Sequence, residues 1–206
     1  MTEVLRDGPA DAKMRLVLAH GAGAPMDSPF MDTLATAIAE HGVAVIRFEF
    51  EYMAKRRVDG KRRGPDRGPK LLAQFRDIVA TLGDPSRLVV GGKSMGGRIA
   101  SMVADDLGVA GVTCFGYPFH PPGKPDRLRT AHLEALRSPC LIVQGTRDRF
   151  GTPEEVDTYP LAPTISVTWV EDGDHSLKPR KKSGRTEAQN MAEAAASATR
   201  FIDQIR

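Results

Sequence analysis

Short apolar runs alternate with stretches whose apolar residues recur every three or four positions along nearly the whole chain. The runs are Met14 to His20, Val43 to Phe50, Leu88 to Gly92, Ala110 to Tyr117, Pro139 to Gly145 and Ile165 to Val170. Each is short, rich in β-branched residues and bounded by Gly, Pro or Asp, which reads as a strand buried on both faces. Between them, Met31, Leu34, Ala35 and Ile38 follow the start signal Ser28-Pro29 and stop at Gly42. Leu71, Leu72, Phe75, Ile78, Val79 and Leu82 share a second helical face, closed by Gly83. Ile99, Met102 and Val103 lie on a third helix ending near Gly108. Short helices are expected around Leu128 to Leu136 and Thr152 to Tyr159, and a final one over Thr186 to Arg206 carries Met191, Ala195, Ala198, Phe201, Ile202 and Ile205.

Strands and amphipathic helices in alternation predict an α/β fold: a mostly parallel sheet of about six strands with helices on both faces. The polar lead before Met14 shows no convincing strand. No repeat, low-complexity tract or linker interrupts the pattern, so residues 1–206 read as a single domain. No run is long and apolar enough to cross a bilayer, and Met1 to Lys13 lacks the apolar core of a secretion signal, which leaves a cytoplasmic location as the default expectation. Cys114 and Cys140 sit inside apolar runs and read as core thiols; no cysteine or histidine cluster suggests a metal, and no organic cofactor is implied.

In such sheets chemistry gathers past the carboxyl ends of the strands. Gly92-Lys93-Ser94-Met95-Gly96 fits G-x-S-x-G between a strand and a helix, the context that turns a serine hydroxyl out of the sheet edge. A phosphate-binding loop is excluded, because G-x-x-x-x-G-K-[ST] needs glycine where Arg87 stands. A second strand end delivers Thr146-Arg147-Asp148 and a third Asp172-Gly173-Asp174-His175. A serine needs a base within reach, and the base needs a group that fixes its tautomer, so Ser94, His175 and Asp148 are the candidate catalytic residues. Asp148 has a better strand-end placement than Asp172 or Asp174.

With nucleophile, acid and histidine in that order, the chain resembles an α/β-hydrolase over nearly its whole length, most closely the small, cap-less, dienelactone-hydrolase-like members. Gly116-Tyr117-Pro118-Phe119-His120-Pro121-Pro122 and Asp174-His175-Ser176-Leu177-Lys178-Pro179-Arg180 are similar to phrases in bacterial hydrolases of that group. The resemblance implies an oxyanion hole from the amides of Met95 and Ala22, with Gly23 as alternative, and a structural role for His20. It implies no lid domain, so loops 51–70 and 117–138 would rim the site. Dienelactone hydrolases proper use a cysteine nucleophile; serine stands here, so their substrate does not carry over.

Charge adds one feature. The net charge of +3 hides +6 in residues 55–70 and +5 in residues 178–185, leaving −8 on the remainder. Both segments follow strand ends on the edge that carries Ser94. Arg56, Arg57, Lys178 and Arg180, with His120 of the proline-rich loop, are therefore candidate rim residues for an anionic substrate, against the alternative that they only solvate two loops and that His120 packs at the surface. Nucleic acid is disfavoured, because both segments lack aromatic residues for base stacking. The expected function is a serine hydrolase working through an acyl-enzyme on a small or medium ester or thioester; acyl transfer and a non-catalytic interaction module are the rivals.

Overall fold

A computed structural model describes residues 3–205; Met1, Thr2 and Arg206 lie outside it. The strands are β1 (Val4–Asp7), β2 (Arg15–Ala19), β3 (Ala44–Phe48), β4 (Leu88–Lys93), β5 (Gly111–Phe115), β6 (Cys140–Gly145) and β7 (Ile165–Val170). They form one seven-stranded sheet in the order β1-β3-β2-β4-β5-β6-β7. All neighbours are parallel except β1, which runs antiparallel to β3. The chain leaves β2 towards β3 and returns to β4 on its other side, so the sheet's order reverses at β2. That reversal opens a crevice beyond the ends of β2 and β4.

The helices are α1 (Pro29–Ala39), α2 (Glu51–Asp59), α3 (Gly68–Ala80), α4 (Met95–Leu107), α5 (Pro153–Val156) and α6 (Glu187–Gln204). Successive strand residues face opposite sides. Leu16 and Leu18 of β2 pack with Met31, Leu34, Ile38, Met191 and Ala198 of α1 and α6. Val17 and Ala19 pack with Phe75, Ile78, Ile99 and Val103 of α3 and α4. Cys114 and Cys140 are buried free thiols in β5 and β6.

Three features depart from the expectation. The sheet has seven strands because the polar lead supplies β1, which side chains hold in place. The Arg47 guanidinium donates through Nε at 2.9 Å and Nη2 at 3.1 Å to the two oxygens of Asp7, through Nη1 to Met26 O at 2.8 Å, and also to Asp32. A buried arginine on β3 thus fixes a strand too short to declare itself by periodicity. Residues 51–70 are not simply a loop: α2 occupies 51–59 and α3 begins at Gly68. Tyr52 and Met53 bury one side of α2, Lys55 pairs with Glu51 one turn back, and Gly60 ends it with φ +68°. The helix expected around Leu128 to Leu136 is instead a run of turns over 131–135, with Leu133 and Leu136 buried from irregular backbone.

Backbone contact, not side-chain packing, sets the β4–α4 turn. A Cβ on Gly92 would lie 2.5 Å from Ala19 O and 2.6 Å from the Gly96 carbonyl carbon, and one on Gly96 would lie 2.5 Å from Ala19 O and 2.6 Å from His20 O. Gly92→Ala is therefore expected to cost roughly 2 kcal/mol in urea unfolding, a typical overpacking penalty. Gly64→Ala, with nothing within 4 Å of its added carbon, serves as the silent control; equal midpoints for the two variants would contradict the steric account.

Candidate active site

Ser94 caps α4 from a left-handed, strained conformation, φ +52° and ψ −114°. The flanking glycines make this turn possible by letting it lie against the end of β2. His175 enters from the loop after β7 and Asp148 from the turn after β6. Residues far apart in sequence then meet. His175 Nε2 lies 2.9 Å from Ser94 Oγ, and His175 Nδ1 lies 2.8 Å from Asp148 Oδ2. Asp148 is fully buried. Its Oδ2 also accepts from Gln144 Nε2 at 3.0 Å, and its Oδ1 from the Phe150 amide at 2.9 Å. With both oxygens engaged, the carboxylate cannot turn away from the ring. The Phe150 ring stacks on the imidazole, centroids 4.1 Å apart.

The loop after β2 is fixed by its carbonyls. Gly21 O accepts from His20 Nδ1 at 2.6 Å, Ala22 O from the Tyr52 hydroxyl at 3.0 Å, and Gly23 O from Arg56 Nη1 at 3.4 Å. In a trans peptide the next N–H points opposite to the carbonyl, so the amide of Ala22 faces away from the His20 ring and that of Gly23 away from the Tyr52 hydroxyl. On the other side Met95 opens α4, where first-turn amides have no intrahelical acceptor. Burial holds His20 below its ordinary pKa, and the neutral ring accepts from the Phe50 amide through Nε2 at 3.1 Å. That bond ties the glycine-rich loop to the end of β3.

A cavity of about 310 Å³ opens beside Ser94 and His175, walled by Gly21 to Ala24, Phe30, Met31 and Phe150, with Lys93 as its one cation. The Lys93 ammonium donates to the His175 carbonyl and lies 5.0 Å from the centre of the Phe30 ring. Burial brings its pKa down to about 8, against the opposing pull of Asp148 and Asp174. Sequence reasoning treated Lys93 only as part of a failed phosphate loop, and missed Gln144 and Phe150 altogether. Their signal was positional: Gln144 stands at the end of β6, four residues before Asp148, and Phe150 follows it by two.

The expected basic rim is not at the cavity. Arg57 sits between Asp27 and Glu49, with nitrogen–oxygen distances of 2.8 and 2.6 Å. Arg180 grips Asp172, and Lys178 Nζ is 3.4 Å from Glu187. His120 is buried, between Pro121 O at 3.0 Å and Glu155 Oε2 at 3.3 Å. Arg56 holds loop backbone. Carboxylates match Arg57, His120, Lys178 and Arg180, backbone holds Arg56, and none of the five lines the cavity. The Arg180–Asp172 pair has another use. Asp172 (φ +52°) and Leu177 (φ +63°) are both left-handed, and the loop between them carries His175. Arg180 donates to Asp172 through its amide at 2.6 Å and Nε at 2.8 Å, while Asn190 Nδ2 donates to Leu177 O at 2.7 Å.

A second serine–histidine contact exists, Ser101 Oγ to His132 Nε2 at 2.9 Å. Ser101 is buried in mid-helix and donates its proton to Arg98 O at 2.9 Å. Ser101 does not line the cavity at Ser94, and among the described residues no carboxylate orients His132, so the pair lacks what activates a nucleophile.

A mostly parallel sheet whose sharpest turn presents a serine at the switch point defines the α/β-hydrolase class. The chain belongs to the alpha/beta hydrolase domain family, whose profile matches residues 12–203. Among solved structures it is similar to an alpha-beta serine hydrolase homologue from Coxiella burnetii (21% identity, TM-score 0.69, covering 96% of this chain and 89% of that one). It is also similar to a serine hydrolase without lid from Xanthomonas campestris (18%, 0.69, 96% and 88%). A dienelactone hydrolase from Anabaena variabilis shares the fold as well (17%, 0.71, 98% and 90%). At these identities the likeness shows fold. No lid domain is inserted among the described residues, and no helix there is long and apolar enough to cross a membrane.

The ionic clamp on the histidine loop has a pH signature. The Arg180 hydrogen bonds hold Asp172 down at about 2. A depressed carboxylate contributes stability that is present above its unfolded pKa near 4 and is lost as pH falls through its folded value. Asp172→Asn, which tolerates the same backbone, should lower the urea midpoint at pH 7, and the gap to wild type should close between pH 4 and 2. A gap independent of pH would show that the charge carries no stability.

Proposed function

We propose that the protein is a serine hydrolase acting on small or medium esters or thioesters through an acyl-enzyme. The observation that carries the reading is the unbroken line from the Ser94 hydroxyl through the His175 ring to the Asp148 carboxylate, at 2.9 and 2.8 Å. Ser94 Oγ attacks the carbonyl carbon while its proton passes to His175 Nε2, and Asp148 stabilises the imidazolium. The oxyanion is received by the amides of Met95 and Ala22, with Gly23 beside them. Collapse expels the alcohol or thiol, which takes the proton from His175. Water repeats the sequence, its proton going to His175 and then back to Ser94 Oγ as the carboxylic acid departs.

The cavity favours an apolar acyl group, since Phe30, Met31 and Phe150 form its walls. Lys93, tied to the carbonyl of the residue that supplies the base, joins the nucleophile strand to the histidine loop. The similar structures, a serine hydrolase without lid and a dienelactone hydrolase, support an open site acting on an ester-like bond.

A fluorophosphonate probe should label the wild type at Ser94, fail on Ser94→Ala, and still label Ser101→Ala. Asp148→Asn should lower kcat by roughly 10³- to 10⁴-fold with the fold intact, the loss expected when the histidine tautomer is no longer fixed. Labelling that follows Ser101, or none in wild type, overturns the assignment. Along a series of nitrophenyl esters, kcat/KM should rise up to about fourfold per methylene, the equivalent of roughly 0.8 kcal/mol of burial, until the cavity is filled. Phe30→Ala should move that limit to longer chains; a flat series for both proteins would exclude the cavity as the acyl site.

A further inference from the structure

Lys93 breaks a rule that the rest of β4 obeys. Alternation from Val89 puts its side chain on the sheet face that α1 and α6 cover, where it meets the Phe30 ring of α1 at 5.0 Å. That face is apolar, yet position 93 carries a buried ammonium. Lys55, Lys70 and Lys178 each reach a carboxylate, and among the described residues Lys93 reaches none. Asp148 and Asp174 attract it from further off, and burial still brings its pKa down to about 8. A charge in such a place disfavours folding unless a polar group receives it. The group that receives it is the carbonyl of His175.

The contact makes a second demand on the sequence. Gly116, just past β5 with φ +65°, leaves the opening in which ammonium and carbonyl meet. A Cβ there would lie 2.7 Å from Lys93 Nζ, 2.8 Å from His175 O and 3.3 Å from His175 Nδ1. The same bond is the one tie of the His175 main chain, since among the described residues neither its amide nor its carbonyl has another hydrogen bond. Arg180 and Asn190 fix the loop on either side, at Asp172 and Leu177. Lys93 fixes the histidine between them. We propose that Lys93 is a positioning residue, which holds the His175 imidazole in line with the Ser94 hydroxyl. Lys93 and Ser94 are consecutive, with Cα atoms about 3.8 Å apart, so the bond ties the base to the residue next to the nucleophile. The role deepens the hydrolase reading, and its kinetic part rests on it. The titratable groups that face the ammonium are Asp148 after β6, and Asp174 and His175 after β7; α1 brings the Phe30 ring, the loop after β2 brings Gly21, and β5 leads to Gly116. Loss of the ammonium's proton replaces a charge-assisted bond by a weaker neutral one, so the tie slackens as pH rises through about 8.

Lys93→Met keeps the apolar stem and removes the donor. On nitrophenyl esters it should lower kcat about 10- to 100-fold, the order of loss for a slight misplacement of reacting groups, with KM within about threefold of wild type. The alkaline limb of the wild-type kcat/KM profile near pH 8 should be absent from the variant. Gly116→Ala, which intrudes on the same bond, should reproduce the loss, and the double variant should be no slower than the slower single one. Alanine is also strained at that φ, so Lys93→Met decides where Gly116→Ala fails to fold. A readout without turnover accompanies the kinetics: the proton shared by His175 Nδ1 and Asp148, followed by NMR, should exchange with water about tenfold faster in Lys93→Met, the weight of one charge-assisted hydrogen bond. An unchanged kcat, an alkaline limb that survives in Lys93→Met, losses that multiply in the double variant, or proton exchange equal to wild type overturns the proposal. A lysine that served stability alone would lower the urea midpoint of Lys93→Met and leave kcat in place. Fluorophosphonate labelling of Ser94 at one rate in wild type and Lys93→Met keeps the hydrolase reading and removes the positioning role. If wild-type Ser94 takes no label, the hydrolase reading falls, and proton exchange still decides whether Lys93 holds the ring.

Discussion

Backbone against backbone is the contact on which the rest of the structure depends. The β4–α4 turn lies so close to the end of β2 that neither Gly92 nor Gly96 has room for a single carbon more. Three things follow from that approach. Ser94 is forced into a left-handed conformation that turns its hydroxyl out of the sheet. The first amides of α4 are brought beside the glycine-rich loop after β2. And the crevice at the sheet's reversal point becomes a cavity instead of a packed seam. Strain at Ser94 is therefore tolerated because both neighbours of the turn are held by the sheet, which the core on each face makes rigid.

The opposite wall is built by polar contacts. The histidine loop contains two left-handed residues, and it keeps its shape because Arg180 and Arg147 hold Asp172 while Asn190 holds the Leu177 carbonyl. Lys93 adds a bond from β4 to the His175 carbonyl. Positive charge near this site thus acts on the protein itself. It fixes the loops that face the cavity, and the cavity wall is left apolar. That arrangement resolves a tension in the sequence, where two strongly basic segments flank a site lined with phenylalanine and methionine.

The sequence carried the serine, histidine and carboxylate because each ends an apolar strand, and strand ends are legible from hydrophobic runs bounded by Gly and Asp. The parallel sheet was legible for the same reason. What was hidden depends on partners distant in the chain. β1 is a strand because Arg47 reaches Asp7, and nothing in Val4 to Asp7 announces that. α2 reads as a charged loop because its helical face is only Tyr52 and Met53; Glu51 and Gly60 are weak signals among so many lysines and arginines. Residues 128–136 have helical spacing, yet Leu133 and Leu136 are buried by turns, an ambiguity that periodicity cannot resolve over so short a span. The basic segments were placed at the correct edge of the sheet, but their counter-charges, Asp27, Glu49 and Asp172, lie in other parts of the chain.

Two serine–histidine pairs in one small protein show why a hydrogen bond is not yet a mechanism. The distances are equal, 2.9 Å for Ser94 with His175 and 2.9 Å for Ser101 with His132. The surroundings differ in every respect that matters. Ser94 is strained outward into a cavity, while Ser101 is buried along a helix and spends its proton on Arg98 O. His175 has a carboxylate behind it, and His132 has a guanidinium, which opposes the cation that a base must become. A proton leaving Ser94 would move towards negative charge; one leaving Ser101 would move towards positive charge.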